Sequence, residues 1–161
     1  QMLGGFAGAA LVWLFYKDHY DATEDPGTKL GTFCTMPAIE GHKMRNFFCE
    51  ALASCLLVFV ILVFGVDANV AHLDPDGQHL HIGMGELGAL PVTFLIMSIG
   101  MSLGGATGYA INPARDLAPR LAHAILPIKG KGDSGWGYSW VPVLGPLCGA
   151  VIAALAYILI Y

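Results

Sequence analysis

The sequence reads as an all-α bundle of membrane-crossing helices, and three observations lead there. Hydrophobic residues make up 55% of the chain and charged residues 12%, about half the roughly 25% of a soluble domain, and the mean hydropathy is +0.61. Two apolar runs reach the length a bilayer requires, about 20 residues: Phe47–Val66 contains one charge, Glu50, and Val141–Tyr161 contains none. Glycine, at 21 residues, is enriched as it is in packed membrane helices. A soluble α/β protein can also be apolar and Gly-rich, but its buried segments are short and alternate with polar faces.

The elements follow in order. Residues 1–17, "QMLGGFAGAALVWLFYK", form an apolar helix ending in Trp13, Phe15 and Tyr16, aromatics suited to a membrane interface. With no initiator Met and no cleavable leader ahead of it, this helix is expected to continue a longer protein. A polar loop, Asp18–Asn46, leads to the span 47–66. The next loop, Asp67–Glu86, carries His72, His79 and His81 beside Asp74 and Asp76, and reads as solvated rather than metal-binding. A third span covers 87–104.

The Gly-rich break "GGATGYAI" then leads into Asn112. An Asn side chain caps a helix by accepting a backbone N–H, and Pro113 suits the first helical position. The segment 113–126 stops at Pro127, and its length of about 20 Å falls short of a hydrocarbon core of about 30 Å. Two placements fit. One is a re-entrant half-span whose irregular backbone faces protein or water; the other is an interfacial helix with its arginines at the headgroups. The polar loop "IKGKGDSGWGYSW" precedes the last span, 141–161. The pairs Gly4/Gly8, Gly100/Gly104 and Gly145/Gly149 have the spacing that lets helix backbones approach closely.

Charge and chemistry exclude several classes. The eight Lys and Arg residues form no tract, which argues against a nucleic-acid partner. Cys34, Cys49, Cys55 and Cys148 make no CxxC or metal spacing and read as small packing residues. No nucleophile–base pair or paired carboxylates appear within a span, and His123 stands alone. Neither an enzyme activity nor a cofactor or metal is expected.

The stretch "GYAINPARDLAPR" resembles the second signature of the major intrinsic protein family, the aquaporins and aquaglyceroporins, and the likeness extends over essentially the whole chain. It implies an aquaporin-like inverted-repeat bundle with a re-entrant half-helix, incomplete here. Residues 1–17 are similar to the third helix of the first repeat and 18–46, with "GTFCTMP", to the long extracellular loop of glycerol facilitators. Residues 47–161 are similar to the second repeat. Asp116, Arg120, Pro142 and Val143 resemble the glycerol-conducting branch.

The resemblance implies a passive channel for glycerol and similar small uncharged polyols, with some water and without ions or protons. Gly100, Tyr109 and Arg115 would supply its selectivity filter, Asn112, Pro113 and Ala114 its Asn-Pro-Ala motif, and the carbonyls of Gly104, Gly105, Ala106, Thr107 and Gly108 a ladder of acceptors. A fixed guanidinium fork suits polyol hydroxyls, and a half-helix N-terminus disfavours cations. Glu50, Asp116 and Arg120 would support the loop, and an i,i+4 ion pair between the last two is geometrically available. Plainer readings stand beside these: Arg115 snorkelling to the interface, Tyr109 as a packing aromatic, and Glu50 reaching water.

The same resemblance implies a homotetramer in a bacterial cell membrane and a pore that needs the first repeat, so the chain alone is not expected to conduct. A water-selective channel, a non-conducting structural fragment, and an ion channel or secondary transporter built on re-entrant loops are the alternatives. One feature disagrees with the family's topology. Lys29, Lys43, Arg45, Lys129 and Lys131 would draw the first and last loops to the cytoplasm, where the resemblance puts them outside.

Overall fold

The computed structural model describes residues 1–65, 71–73, 79–81 and 87–161. In chain order these form α1 (Met2–Phe15), α2 (Lys17–Ala22), α3 (Pro26–Gly31), α4 (Lys43–Phe64), α5 (Leu90–Leu103), α6 (Pro113–Ile125) and α7 (Trp140–Ile160). A short antiparallel pair, β1 (Ala71–Leu73) and β2 (His79–His81), sets His72 opposite Leu80. The expectation of solvated histidines beside Asp74 and Asp76 falls on side chains outside the described residues.

Helices α4 and α7 have 22 and 21 residues, which at 1.5 Å per residue gives about 33 and 31 Å, enough to cross a bilayer. Only 22% of the most apolar window of each is buried within the chain. A helix apolar all round with its surface open belongs against lipid rather than in a soluble core. Helix α4 begins at Lys43, ahead of the apolar run, because Lys, Met and Arg extend a helix as readily as Leu does. Glu50 is therefore two turns inside the helix rather than near its end.

Two helix pairs make the bundle. Gly145 and Gly149 bring α7 onto α4: a Cβ on Gly145 would stand 2.7 Å from Cβ of Glu50, and one on Gly149 would overlap the carbonyl oxygen of Ala51. Phe47 stacks on Trp140 at the same interface, ring centroids 5.8 Å apart. Helix α1 packs on α6 through Gly5, where a Cβ would lie 3.1 Å from Cβ of Ala118. Gly4 and Gly8 meet nothing within 4 Å, so the expected close approach at that pair does not occur in this chain. Phe6, Ala9 and Trp13 on α1 instead cover a buried cluster of Tyr20, Phe33, Ala122 and Ile128.

The polar stretch 18–46 holds two short helices that its Asp, Thr and Gly content conceals. Asp25 caps α3 by accepting from the amides of Thr28 at 2.7 Å and Gly27 at 3.3 Å, with Pro26 at the first position. The Thr28 hydroxyl also donates to it, and these bonds hold the Asp25 carboxyl below the usual carboxylate range.

Lysines fasten the first loop to the last. Lys29 Nζ donates to the Lys129 carbonyl at 2.5 Å and Lys43 Nζ to that of Gly137 at 2.9 Å. Lys131 Nζ caps the end of α6, donating at 2.7 Å to the carbonyls of His123, Ala124 and Leu126. Three of the five charges behind the topological misfit thus hold backbone together, which gives them a use independent of membrane orientation. All four cysteines are free thiols; Cys34 is buried, whereas Cys148 on α7 is not buried within this chain.

Candidate functional site

The backbone between α5 and α6 is irregular and strained. After a 3-10 turn over Gly104–Ala106, Gly108, Tyr109 and Ile111 take φ of 78°, 40° and 42°. Such a conformation suits glycine but costs a larger or β-branched residue about 1–3 kcal/mol. Glu50 holds it in place. Its carboxylate accepts from Thr107 Oγ1 at 2.6 Å and from the amides of Ala110 and Ile111 at 2.9 Å each. Each hydrogen bond to a charged group contributes about 1.5–3 kcal/mol, so three can offset both the strain and the burial of Glu50, which is 1% exposed.

This anchorage decides between the two placements of the half-helix. The loop is fixed to the interior of α4, and α6 buries Asp116, Ala118, Arg120, Ala122 and His123. An interfacial helix would leave its polar residues to water and headgroups. The segment is a re-entrant half-helix packed inside the bundle.

At its start Asn112 Oδ1 accepts from the Ala114 amide at 2.9 Å, while Nδ2 donates to Gln1 Oε1 at 3.2 Å. Tyr109, Asn112, Pro113 and Arg115 line one cavity of about 500 Å³, with Leu57, Val58, Ile96, Pro146 and Leu147 supplying apolar wall. The Tyr109 ring lies over two glycines: a Cβ on Gly100 would stand 3.0 Å from its Cζ, and one on Gly104 2.5 Å from its Cδ1. Arg115 is exposed to the cavity, and its guanidinium has no hydrogen-bond partner among the described residues.

Behind Arg115 sits a buried polar network. Arg120 Nε meets Asp116 Oδ1 at 2.8 Å and its Nη2 meets Oδ2 at 3.0 Å, both side chains being fully buried. The remaining Arg120 donors reach the carbonyls of Ser134, Gly135 and Thr35 at 2.8 to 2.9 Å. Asp116 also accepts from the Thr35 amide and hydroxyl. His123 Nδ1 pairs with Ser134 Oγ at 2.9 Å, and its ring meets Phe33 edge-on.

The Major intrinsic protein family model matches residues 1–157. The chain belongs to the major intrinsic protein family. A probable glycerol uptake facilitator protein of Thermotoga maritima is 47% identical over 157 residues, covering 98% of this chain and 61% of that one. The glycerol uptake facilitator protein of Bacillus subtilis is 46% identical over 157 residues, with 98% and 52% covered. The X-ray structure of the aquaglyceroporin from Plasmodium falciparum superposes with a TM-score of 0.74 at 30% identity, covering 98% of this chain and 60% of that one. The chain therefore spans between about half and three fifths of the length of these relatives, and as a member of the family it is an integral membrane protein.

Within this major intrinsic protein the residues singled out from sequence are distributed unevenly. Tyr109, Asn112, Pro113 and Arg115 share the cavity, while Gly100 lies beneath the Tyr109 ring. Of the carbonyls expected to form a ladder, that of Gly104 accepts from the Gly108 amide and that of Ala106 from the Ala38 amide. Pro142 is fully buried in α7, and the α7 wall of the cavity is Pro146, Leu147 and Ala150. Sequence reasoning missed Thr35, Lys131 and Ser134, and it gave Thr107 a backbone carbonyl role rather than the hydroxyl bond to Glu50. The one available signal was the family-like "GTFCTMP", in which Thr35 sits.

Proposed function

We propose that this chain forms the second-repeat half of a channel for passive diffusion of glycerol and similar small uncharged polyols, with some water. The observation that carries this reading is the Tyr109 ring laid over Gly100 and Gly104 on the same cavity as an Arg115 whose guanidinium has no partner among the described residues. An aromatic face with aliphatic neighbours suits the carbon side of a polyol. A guanidinium fork suits its hydroxyl edge. The glycines supporting Tyr109 leave no bulky polar side chain to narrow the passage to water alone.

Gly100, Tyr109 and Arg115 act as the filter, with Gly100 setting the seat of the ring. Asn112, with Pro113 and Ala114, starts the half-helix and presents an amide to a permeating oxygen, and free carbonyls between Gly104 and Gly108 accept from it. The N-terminal end of α6 and Arg115 together set a positive field that disfavours cations, protons included. Glu50, Asp116 and Arg120 hold the loop and do not touch the permeant.

In this reading residues 1–17 end the first repeat, 18–46 form the outer loop and 47–161 the second repeat. The first repeat closes the open side of the cavity, where it replaces lipid against polar backbone. The channel assembles as a homotetramer in a bacterial cell membrane, and Asp116, Arg120, Pro142 and Val143 mark the polyol branch. Stopped-flow light scattering of proteoliposomes holding the full-length channel tests it. Glycerol entry far above lipid leak is expected, without current. Swelling in water alone, or an ion current, would overturn the polyol reading.

A further inference from the structure

We propose that Thr35, on the segment between α3 and α4, is a positioning residue that sets the gap between Tyr109 and Arg115 and with it the preference for polyol over water. The inference rests on the polyol-channel reading and deepens it. Thr35 is 4% exposed, bonds one arm of the site and lies beside the other. Toward one arm, its amide and hydroxyl donate to Asp116 Oδ2 at 2.8 and 2.6 Å, and Asp116 directly follows Arg115. Toward the other, its γ-methyl stands 3.4 Å from where a Cβ of Gly108 would be, and Gly108 directly precedes Tyr109.

The contact is itself held from several sides. Arg120 Nη2 donates to the Thr35 carbonyl at 2.9 Å and to Asp116 Oδ2 at 3.0 Å. Three residues further on, the Ala38 amide donates to the Ala106 carbonyl at 3.0 Å. Glu50 fixes the pore loop from α4, and Thr35 fixes it from the opposite strand of chain, the outer loop. The two supports differ in what they control. Among the described residues Glu50 bonds only to the loop, so it sets the loop's shape. Thr35 bridges the loop and the half-helix, so it sets the distance between the ring on one and the guanidinium on the other.

The test compares Thr35→Val, which keeps the shape and loses the hydroxyl, with Thr35→Ser, which keeps the hydroxyl. Both are read in proteoliposomes of the full-length channel as the ratio of glycerol to water permeability, at matched membrane abundance and melting temperature. Thr35→Val is expected to lower the ratio about tenfold, the change one hydrogen bond to a charged group carries, and Thr35→Ser to restore it. A wild-type ratio in Thr35→Val overturns the proposal, and so does a loss in Thr35→Ser equal to that in Thr35→Val. If Thr35→Val does not fold, Thr35→Cys decides, its weak S–H donor lowering the ratio; an unchanged ratio overturns the proposal. A wild-type channel that passes water but no glycerol defeats the polyol reading alone. The brace is then read from water permeability in the same variants, with Thr35→Val altering it and Thr35→Ser not.

Discussion

The hydroxyl of Thr107 donates to Oε1 of Glu50 at 2.6 Å across 57 residues of sequence, and the amides of Ala110 and Ile111 close on the same carboxylate. All three groups that face Glu50 are donors. Glu50→Gln therefore turns one acceptor into an amide N–H that points at another N–H, leaving at least one buried donor unpaired at about 1–3 kcal/mol. The left-handed residues Tyr109 and Ile111 lose the support that holds them. On the proposed polyol reading, glycerol permeability of the full-length channel is expected to fall at least about tenfold with protein still in the membrane. Wild-type flux in Glu50→Gln would show that the carboxylate is not what shapes the loop.

Glycine pairs that look alike in sequence separate by experiment. Gly149→Ala places a methyl on the Ala51 carbonyl and near the Cys55 amide, both rigid backbone of α4. Forcing α4 and α7 apart costs about 1–3 kcal/mol. Gly4→Ala meets nothing within 4 Å and gains helix propensity. Thermal melting in detergent should fall clearly for Gly149→Ala and hold or rise for Gly4→Ala; equal melting points would contradict the packing described.

These contrasts mark what the sequence makes legible. Length and hydropathy reveal α4 and α7, because a bilayer imposes a minimum apolar run. Asn112-Pro113 reveals the start of α6, and spacing by four reveals the Asp116–Arg120 pair, because both are local. Glu50 stands out as a lone carboxylate in an apolar run. Its partners do not, since Thr107 and Thr35 meet their carboxylates over 57 and 81 residues, and nothing in local spacing encodes that. Nor does a GxxxG pattern fix which face of a helix turns inward. On α1 the methyl of Ala118 selects Gly5 rather than Gly4 or Gly8.

The two arginines flanking Asp116 should respond oppositely to the same change. Arg120→Lys replaces a planar fork holding one carboxylate and three carbonyls with a single ammonium. That exchange is not conservative at a buried bidentate site, and a loss of about 2 kcal/mol is expected. Arg115→Lys touches a side chain without partners among the described residues, so melting should hold while the glycerol-to-water ratio drops. Measuring both quantities in both variants tests the division of labour, and a melting loss in Arg115→Lys as large as in Arg120→Lys would refute it.

Cys34 offers a pH-dependent readout of the segment between α3 and α4. It is buried, with its Sγ donating to the Leu30 carbonyl, and burial pushes its thiol up from the ordinary 9.0 to about 12, against a smaller opposing pull from Arg120. A thiol whose pKa is higher folded than unfolded favours the folded state while it stays protonated. That contribution is complete below about pH 9 and is lost as pH rises from there toward 12. The melting temperature should therefore fall more steeply above pH 9 in the wild type than in Cys34→Ala, which has no thiol to ionise. Alkylation gives a second measure, since only the thiolate reacts. At pH 8 iodoacetamide should leave Cys34 intact until the protein unfolds. Parallel melting curves, or early labelling of Cys34, would mean that the segment carrying Cys34 and Thr35 is open to water rather than packed against α6.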